Sequence, residues 1–210
     1  WGMFALELSL LAALGLYSLS GTLALLFLPA LVLVCLAPDI LRIWLGPTFA
    51  TQSSVVMQLF AIAVFVNSLG QGAMAFVQGL GRSDVTAKLH LTELPVYALL
   101  LWLLLPRFGI LGAAIAWSVR NIADTAILML CCPVLLPRAR AAIVRMGAWT
   151  LATSAVLTLG AVLSGGPARL AVIALATPAW LYACWRLLIT AEERTLPMRS
   201  LIAVWRPERA

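Results

Sequence analysis

Residues 8–38 carry no charged side chain. The run "LSLLAALGLYSLSGTLALLFLPALVLVCLAP" is longer than the roughly 20 apolar residues that cross about 30 Å of hydrocarbon as a helix. A segment of this kind dictates its surroundings. In lipid every backbone N–H and C=O must be satisfied within the protein, so a spanning element is a helix or part of a closed barrel. A barrel would alternate apolar and polar residues along each strand. This chain has unbroken apolar runs instead, and the expected class is an all-α integral membrane bundle.

Composition agrees. The 210 residues are 63% hydrophobic and 10% charged, against about 45–50% and roughly 25% in a soluble domain. Six spans are expected, within residues 8–37, 54–79, 85–105, 110–132, 146–164 and 170–189. Together they make a bundle over 1–190, followed by a charged cytoplasmic tail, 191–210. Residues 1–14 either extend the first span or end a preceding element, and Pro29 marks a kink. The chain does not start with methionine and reads as a piece of a longer one.

The net charge of +6 would point to nucleic acid in a soluble protein. Here the basic residues are scattered, without the clustered patch that nucleic-acid binding needs. They follow the membrane sides instead. Arg42, Arg107 and Arg169 fall in the loops of one side. Arg82, Lys88, Arg138, Arg140, Arg145, Arg186, Arg194, Arg199, Arg206 and Arg209 fall on the other. Ten against three places both ends in the cytoplasm. Trp44, near the outer end of the first span, fits an interfacial anchor.

The remaining basic residue, Arg120, belongs to "AWSVRNIADTA" (116–126), inside an apolar helix together with Asp124. A charge at mid-membrane costs about 2.5–3.5 kcal/mol on insertion scales, so Arg120, Asp124 and Glu93 are expensive residues that mark a cavity or a pathway. An ion pair joining helices is the plainer reading, because Arg120 and Asp124 at i, i+4 share one helix face. Counted inward from the turn 106–109 at 1.5 Å per residue, Glu93 lies about 12 residues deep, Arg120 about 10 and Asp124 about 14. The three are expected to cluster at mid-membrane, facing the bundle interior. Two acids and one cation leave a surplus negative charge, which calls for a proton, an ion or another basic group. A proton on Glu93 is the expected remedy, since desolvation disfavours a carboxylate.

Asn67, Gln71 and Gln78 share one face of the second span, as a cavity wall or as interhelical hydrogen bonders, while Gln58 points elsewhere. Thr150, Ser154 and Thr158 read as packing residues that bond their own backbone. Gly109, Gly112, Ala113 and Ala116 allow close helix contact. Cys35, Cys131, Cys132 and Cys184 lie in apolar segments without metal-ligand spacing, and His90 has no ligand partners in a recognisable motif. No metal or cofactor is expected, and no phosphate loop or nucleophile–base set points to an enzyme.

Three stretches, "APDILRIWLGPTFA" (37–50), "QGLGRSDVTAKLHLTELPVY" (78–97) and "PRFGILGAAIAWSVRNIADTA" (106–126), resemble the carboxy-terminal half of bacterial polysaccharide biosynthesis proteins. These are the oligosaccharide flippases of the superfamily that includes the MATE exporters. The resemblance covers about residues 17–135. Its marks are Trp44-Leu45-Gly46 after a span, Gly79 to Arg82 before another, and Gly109 to Ala114 opening a third. It implies two lobes of six helices around a central cavity, of which this chain holds the last part of the second. It further implies transport of polyprenyl-pyrophosphate-linked oligosaccharide across the bacterial inner membrane by alternating access, with an amino-terminal lobe or partner chain completing the cavity. On that reading Arg120, Asn67, Gln71 and Gln78 line the cavity or meet the anionic substrate, and Glu93 and Asp124 are counter-charges or coupling-ion sites. A cation-coupled drug exporter of the same superfamily and a non-transporting subunit of a polysaccharide-synthesis complex are the rival readings.

Overall fold

The computed structural model describes residues 2–135, 137, 140–163 and 165–184, with residues 2–20 and 142 described by their helical backbone. Among the described residues six helices follow in order: α1 Gly2–Leu45, α2 Pro47–Gly79, α3 Ser83–Phe108, α4 Ile110–Leu135, α5 Arg140–Val162 and α6 Gly166–Ala183. No strand occurs among the described residues. Among the described residues, five segments are long and apolar enough to cross a membrane: Gly21–Leu45, Pro47–Gly79, Ser83–Phe108, Ile110–Leu135 and Ile143–Val162. The chain is a multi-pass membrane protein. The expected sixth span, 170–189, and the tail, 191–210, lie partly or wholly outside the described residues. The chain divides into two units, residues 1–173 and 174–210, and the second enters the described structure with the last turns of α6.

The helix ends depart from the expected ones in one place that matters. α1 does not stop before Asp39. It carries both Pro29 and Pro38 and runs on to Leu45, with Arg42 in its last turn. Residues 2–14 extend it at the other end. α2 begins at Pro47, well before residue 54, so the expected loop shrinks to Gly46. The reason is local. Gly46 has φ of +90°, which a glycine adopts without the Cβ penalty. Pro47 follows at the first helical positions, where its missing N–H costs nothing. The polar "TQSS" is then free to be helix. Gly109, with φ of +56°, performs the same reversal between α3 and α4, and its N–H donates to the Leu105 carbonyl at 2.9 Å.

In the first unit α2 is central: it packs on α1 and α4 and also meets α5 and α3, while α3 lies against α4 and α5 against α1 and α4. Small residues set the close approaches. A Cβ on Gly70 of α2 would stand 2.5 Å from Thr125 Oγ1 of α4, and one on Gly160 of α5 would stand 2.7 Å from Cys35 Sγ of α1. A Cβ on Gly112 would run into the Leu104 carbonyl. Thr125 Oγ1 donates to the Val66 carbonyl at 3.4 Å. Gln58, buried, donates from Nε2 to the Val34 carbonyl at 2.9 Å and pins α2 to α1. Phe27 and Phe65 meet edge to face at 6.0 Å. Ala73, Val77, Leu128, Cys132 and Ile143 form a core across α2, α4 and α5. On α5, Thr150 and Thr158 bond the carbonyls of Met146 and Ser154 one turn back, the expected local use of the hydroxyl, whereas the third of the set, Ser154, has a buried Oγ that makes no hydrogen bond.

The outside is as apolar as the inside. Trp102 and Leu130 are 73% exposed and Leu151 is 74% exposed. Soluble monomers avoid large contiguous apolar patches, whereas lipid-facing helices are required to present them. Trp44, at the end of α1, is likewise exposed, in the place of an interfacial anchor.

Candidate functional site

The expensive residues of the sequence meet between α3 and α4. Glu93 lies near the middle of α3, and Arg120 and Asp124 near the middle of α4. Arg120 Nε is 3.5 Å from Glu93 Oε2. Arg120 therefore reaches across to the neighbouring helix. Its guanidinium also lies over the Tyr97 ring, 5.4 Å from the centroid, a distance at which a cation is attracted by the ring face. The carboxylates are deep, with side chains 10% exposed at Glu93 and 8% at Asp124, while Arg120 is 33% exposed.

His90 is the residue that the sequence reading missed. No recognisable motif in the sequence gives it ligand partners, yet its Nδ1 faces Glu93 Oε2 at 3.6 Å and Asp124 Oδ1 at 3.8 Å. Its Nε2 lies 3.4 Å from Met74 Sδ on α2. One sequence signal was available: His90 and Glu93 are i, i+3 and so share a helix face. The approach of Met74 and Asp124 was not available, because it depends on which helices surround α3. Ligand atoms of His90, Glu93 and Asp124 all lie within 4.8 Å of one another.

The packing has an unresolved tension. His90 Nδ1, both Glu93 carboxylate oxygens and Asp124 Oδ1 are buried and make no hydrogen bond. Buried polar atoms are normally paired, and an isolated buried charge is worse than an isolated dipole. Two carboxylates and one guanidinium leave a negative surplus. His90 supplies a basic group placed to meet it.

The polar stripe of α2 is arranged differently from the charged cluster. Asn67 is half-buried, and Gln71 and Gln78 are exposed. Gln78 Nε2 donates to Thr86 Oγ1 at 3.4 Å and ties the end of α2 to the start of α3. Gln71 and Gln78 stand one turn before and one turn after Met74, so the stripe continues along the face that meets His90. A groove of about 820 Å³ lies elsewhere, with Leu26, Phe49, Met57, Phe60, Phe108 and Leu111 in its lining. Neither the stripe nor the charged cluster lines that groove.

The chain is a helical membrane protein with a buried charged cluster, and the comparison with known proteins adds a family direction. A protein of Shigella flexneri named "Putative O-antigen transporter" is 37% identical over 89 residues, which is 42% of this chain and 21% of that protein. The chain thus spans about a fifth of the length of the curated relative it matches. No protein-family model and no solved structure matches the chain.

Proposed function

We propose that the chain is the carboxy-terminal portion of a transporter that moves polyprenyl-pyrophosphate-linked oligosaccharide across the bacterial inner membrane by alternating access. The observation that carries the reading is the partial match to a protein named as an O-antigen transporter. The candidate spans and the Arg120–Glu93 pair held between two of them support it. A guanidinium a third exposed at the middle of a span suits an anionic pyrophosphate, which planar, always-charged Arg recognises bidentately. Asn67, Gln71 and Gln78 would meet sugar hydroxyls, while Glu93 and Asp124 would serve as counter-charges or coupling-ion sites. Helices of an amino-terminal lobe or partner chain would cover the exposed amides of α2, which membrane lipid cannot satisfy.

The test is complementation. The natural gene, with whatever precedes these residues, should restore polymer export in a flippase-deficient strain, and Arg120→Ala should reduce it. Restoration of drug resistance without polymer export would favour a cation-coupled exporter. Restoration of neither, by a stably inserted protein, would leave a non-transporting subunit of the synthesis machinery.

A further inference from the structure

We infer that His90, Glu93 and Asp124 form a binding site for a divalent transition-metal ion of zinc type, taken up as Arg120 moves off Glu93. The inference does not depend on the transport reading, since binding is measured on the chain itself.

The donors converge. His90 Nδ1 is 3.6 Å from Glu93 Oε2 and 3.8 Å from Asp124 Oδ1. Zinc bonds to nitrogen and oxygen are about 2.0–2.2 Å, and tetrahedral angles then set neighbouring ligands about 3.3–3.6 Å apart. The two histidine distances reach that spacing with a contraction of a few tenths of an ångström at most, and all three donors already stand within 4.8 Å of one another. They are also unsatisfied: Nδ1, both Glu93 oxygens and Asp124 Oδ1 are buried without a hydrogen bond. Two carboxylate oxygens and an imidazole nitrogen crowded together repel unless a cation stands among them. A proton on Nδ1 can be shared well with one carboxylate at a time, whereas a metal ion takes all three donors.

The far side of the imidazole is engaged as well. With Nδ1 directed at the metal, Nε2 carries the hydrogen, and it points at Met74 Sδ 3.4 Å away, a weak acceptor. Metal-bound imidazoles are generally oriented by an acceptor on the other ring nitrogen, usually a carboxylate, carbonyl or water, and here the weaker thioether takes that place. Imidazole and carboxylate together suit zinc better than the harder magnesium or calcium, which take oxygen sets. Charge balance needs one movement. Arg120 contacts Glu93 Oε2 while lying over Tyr97, and its side chain is a third exposed. Moved off Glu93 toward its exposed side, it leaves two carboxylates to neutralise one dication.

The test uses the full chain in lipid nanodiscs, stripped of metal with a chelator and titrated with Zn²⁺ by equilibrium dialysis. One zinc per chain is expected, with affinity at least tenfold weaker in His90→Ala and in Asp124→Asn. Cobalt replaces zinc as a reporter in the unmodified chain, where a four-coordinate site gives intense visible bands. This second measurement stands even if a variant fails to fold. Uptake of less than one zinc per chain, affinity in both variants unchanged from that of the unmodified chain, or a weak six-coordinate cobalt spectrum would each overturn the site.

Discussion

Arg120 Nε and Glu93 Oε2 face each other at 3.5 Å across the α3–α4 interface, each from near the middle of its helix. Arg120 turns away from its own helix: its i, i+4 neighbour Asp124 faces His90 instead, and Glu93 Oε2 meets both Arg120 and its own-helix neighbour His90. The pair therefore fixes how the two helices are rotated about their own axes.

Removing the cation of this pair should be costly. Arg120→Ala leaves Glu93 and Asp124 close together and uncompensated except by His90. Loss of one partner of a buried pair costs about 3–5 kcal/mol, and the partial exposure of Arg120 places this case below that range. Thermal unfolding in detergent should show a lowered midpoint, with Arg120→Lys intermediate and Arg120→Glu worse. An unchanged midpoint in Arg120→Glu would contradict the pairing.

Glu93→Gln is expected to behave otherwise. Glutamine keeps the shape and removes the negative surplus, so insertion and thermal midpoint should stay near those of the unmodified chain. Transport should change if the carboxyl carries a coupling proton or ion. A collapse of expression comparable with that of Arg120→Ala would show that the carboxylate is needed chiefly for assembly.

Packing at Gly70 offers a test independent of charge. A methyl group there meets Thr125 Oγ1 at 2.5 Å and the Thr125 backbone at 3.3 Å. Gly70→Ala should destabilise the α2–α4 contact by about 1–3 kcal/mol, the usual cost of overfilling a packed interface. Thr125→Ala in the same chain removes the hydroxyl and should recover part of that loss. A double-mutant cycle on thermal midpoints measures the coupling, and strict additivity would argue against contact.

Topology can be read chemically. The ten-to-three distribution of Lys and Arg predicts that Arg107 and Arg140 lie on opposite sides of the membrane. Single cysteines at these positions, in a chain with Cys35, Cys131, Cys132 and Cys184 replaced, should react with an impermeant thiol reagent from opposite faces. Labelling of both from the periplasmic face would overturn the arrangement.

The membrane bundle was legible because its determinants are local: an uncharged run such as residues 8–38 has few folded alternatives. The meeting of Glu93 with Arg120 was legible for a related reason. Two helices joined by a tight turn keep matching depths, so residue counting alone brings the charges level. What could not be read depends on neighbours that sequence distance does not report. His90 looks unremarkable on α3 until Met74 approaches from α2 and Asp124 from α4. The extent of α1 and the start of α2 were hidden by Pro38, Asp39 and the polar stretch after Pro47, which resemble a loop. A single glycine at position 46 turned out to suffice for the reversal. The stripe of Asn67, Gln71 and Gln78 was visible as a pattern, but a pattern does not say which surface will cover it.

The one-residue joints at Gly46 and Gly109 bear on how the chain is made. A long hydrophilic loop between two spans is handled apart from the helices that it joins, whereas a single residue joins each of these pairs. Each pair, α1 with α2 and α3 with α4, can thus enter the bilayer as a preassembled unit whose backbone is already satisfied. For the second pair this means that Glu93 and Arg120 leave the ribosome 27 residues apart and can neutralise each other while the remainder of the polypeptide is still being synthesised.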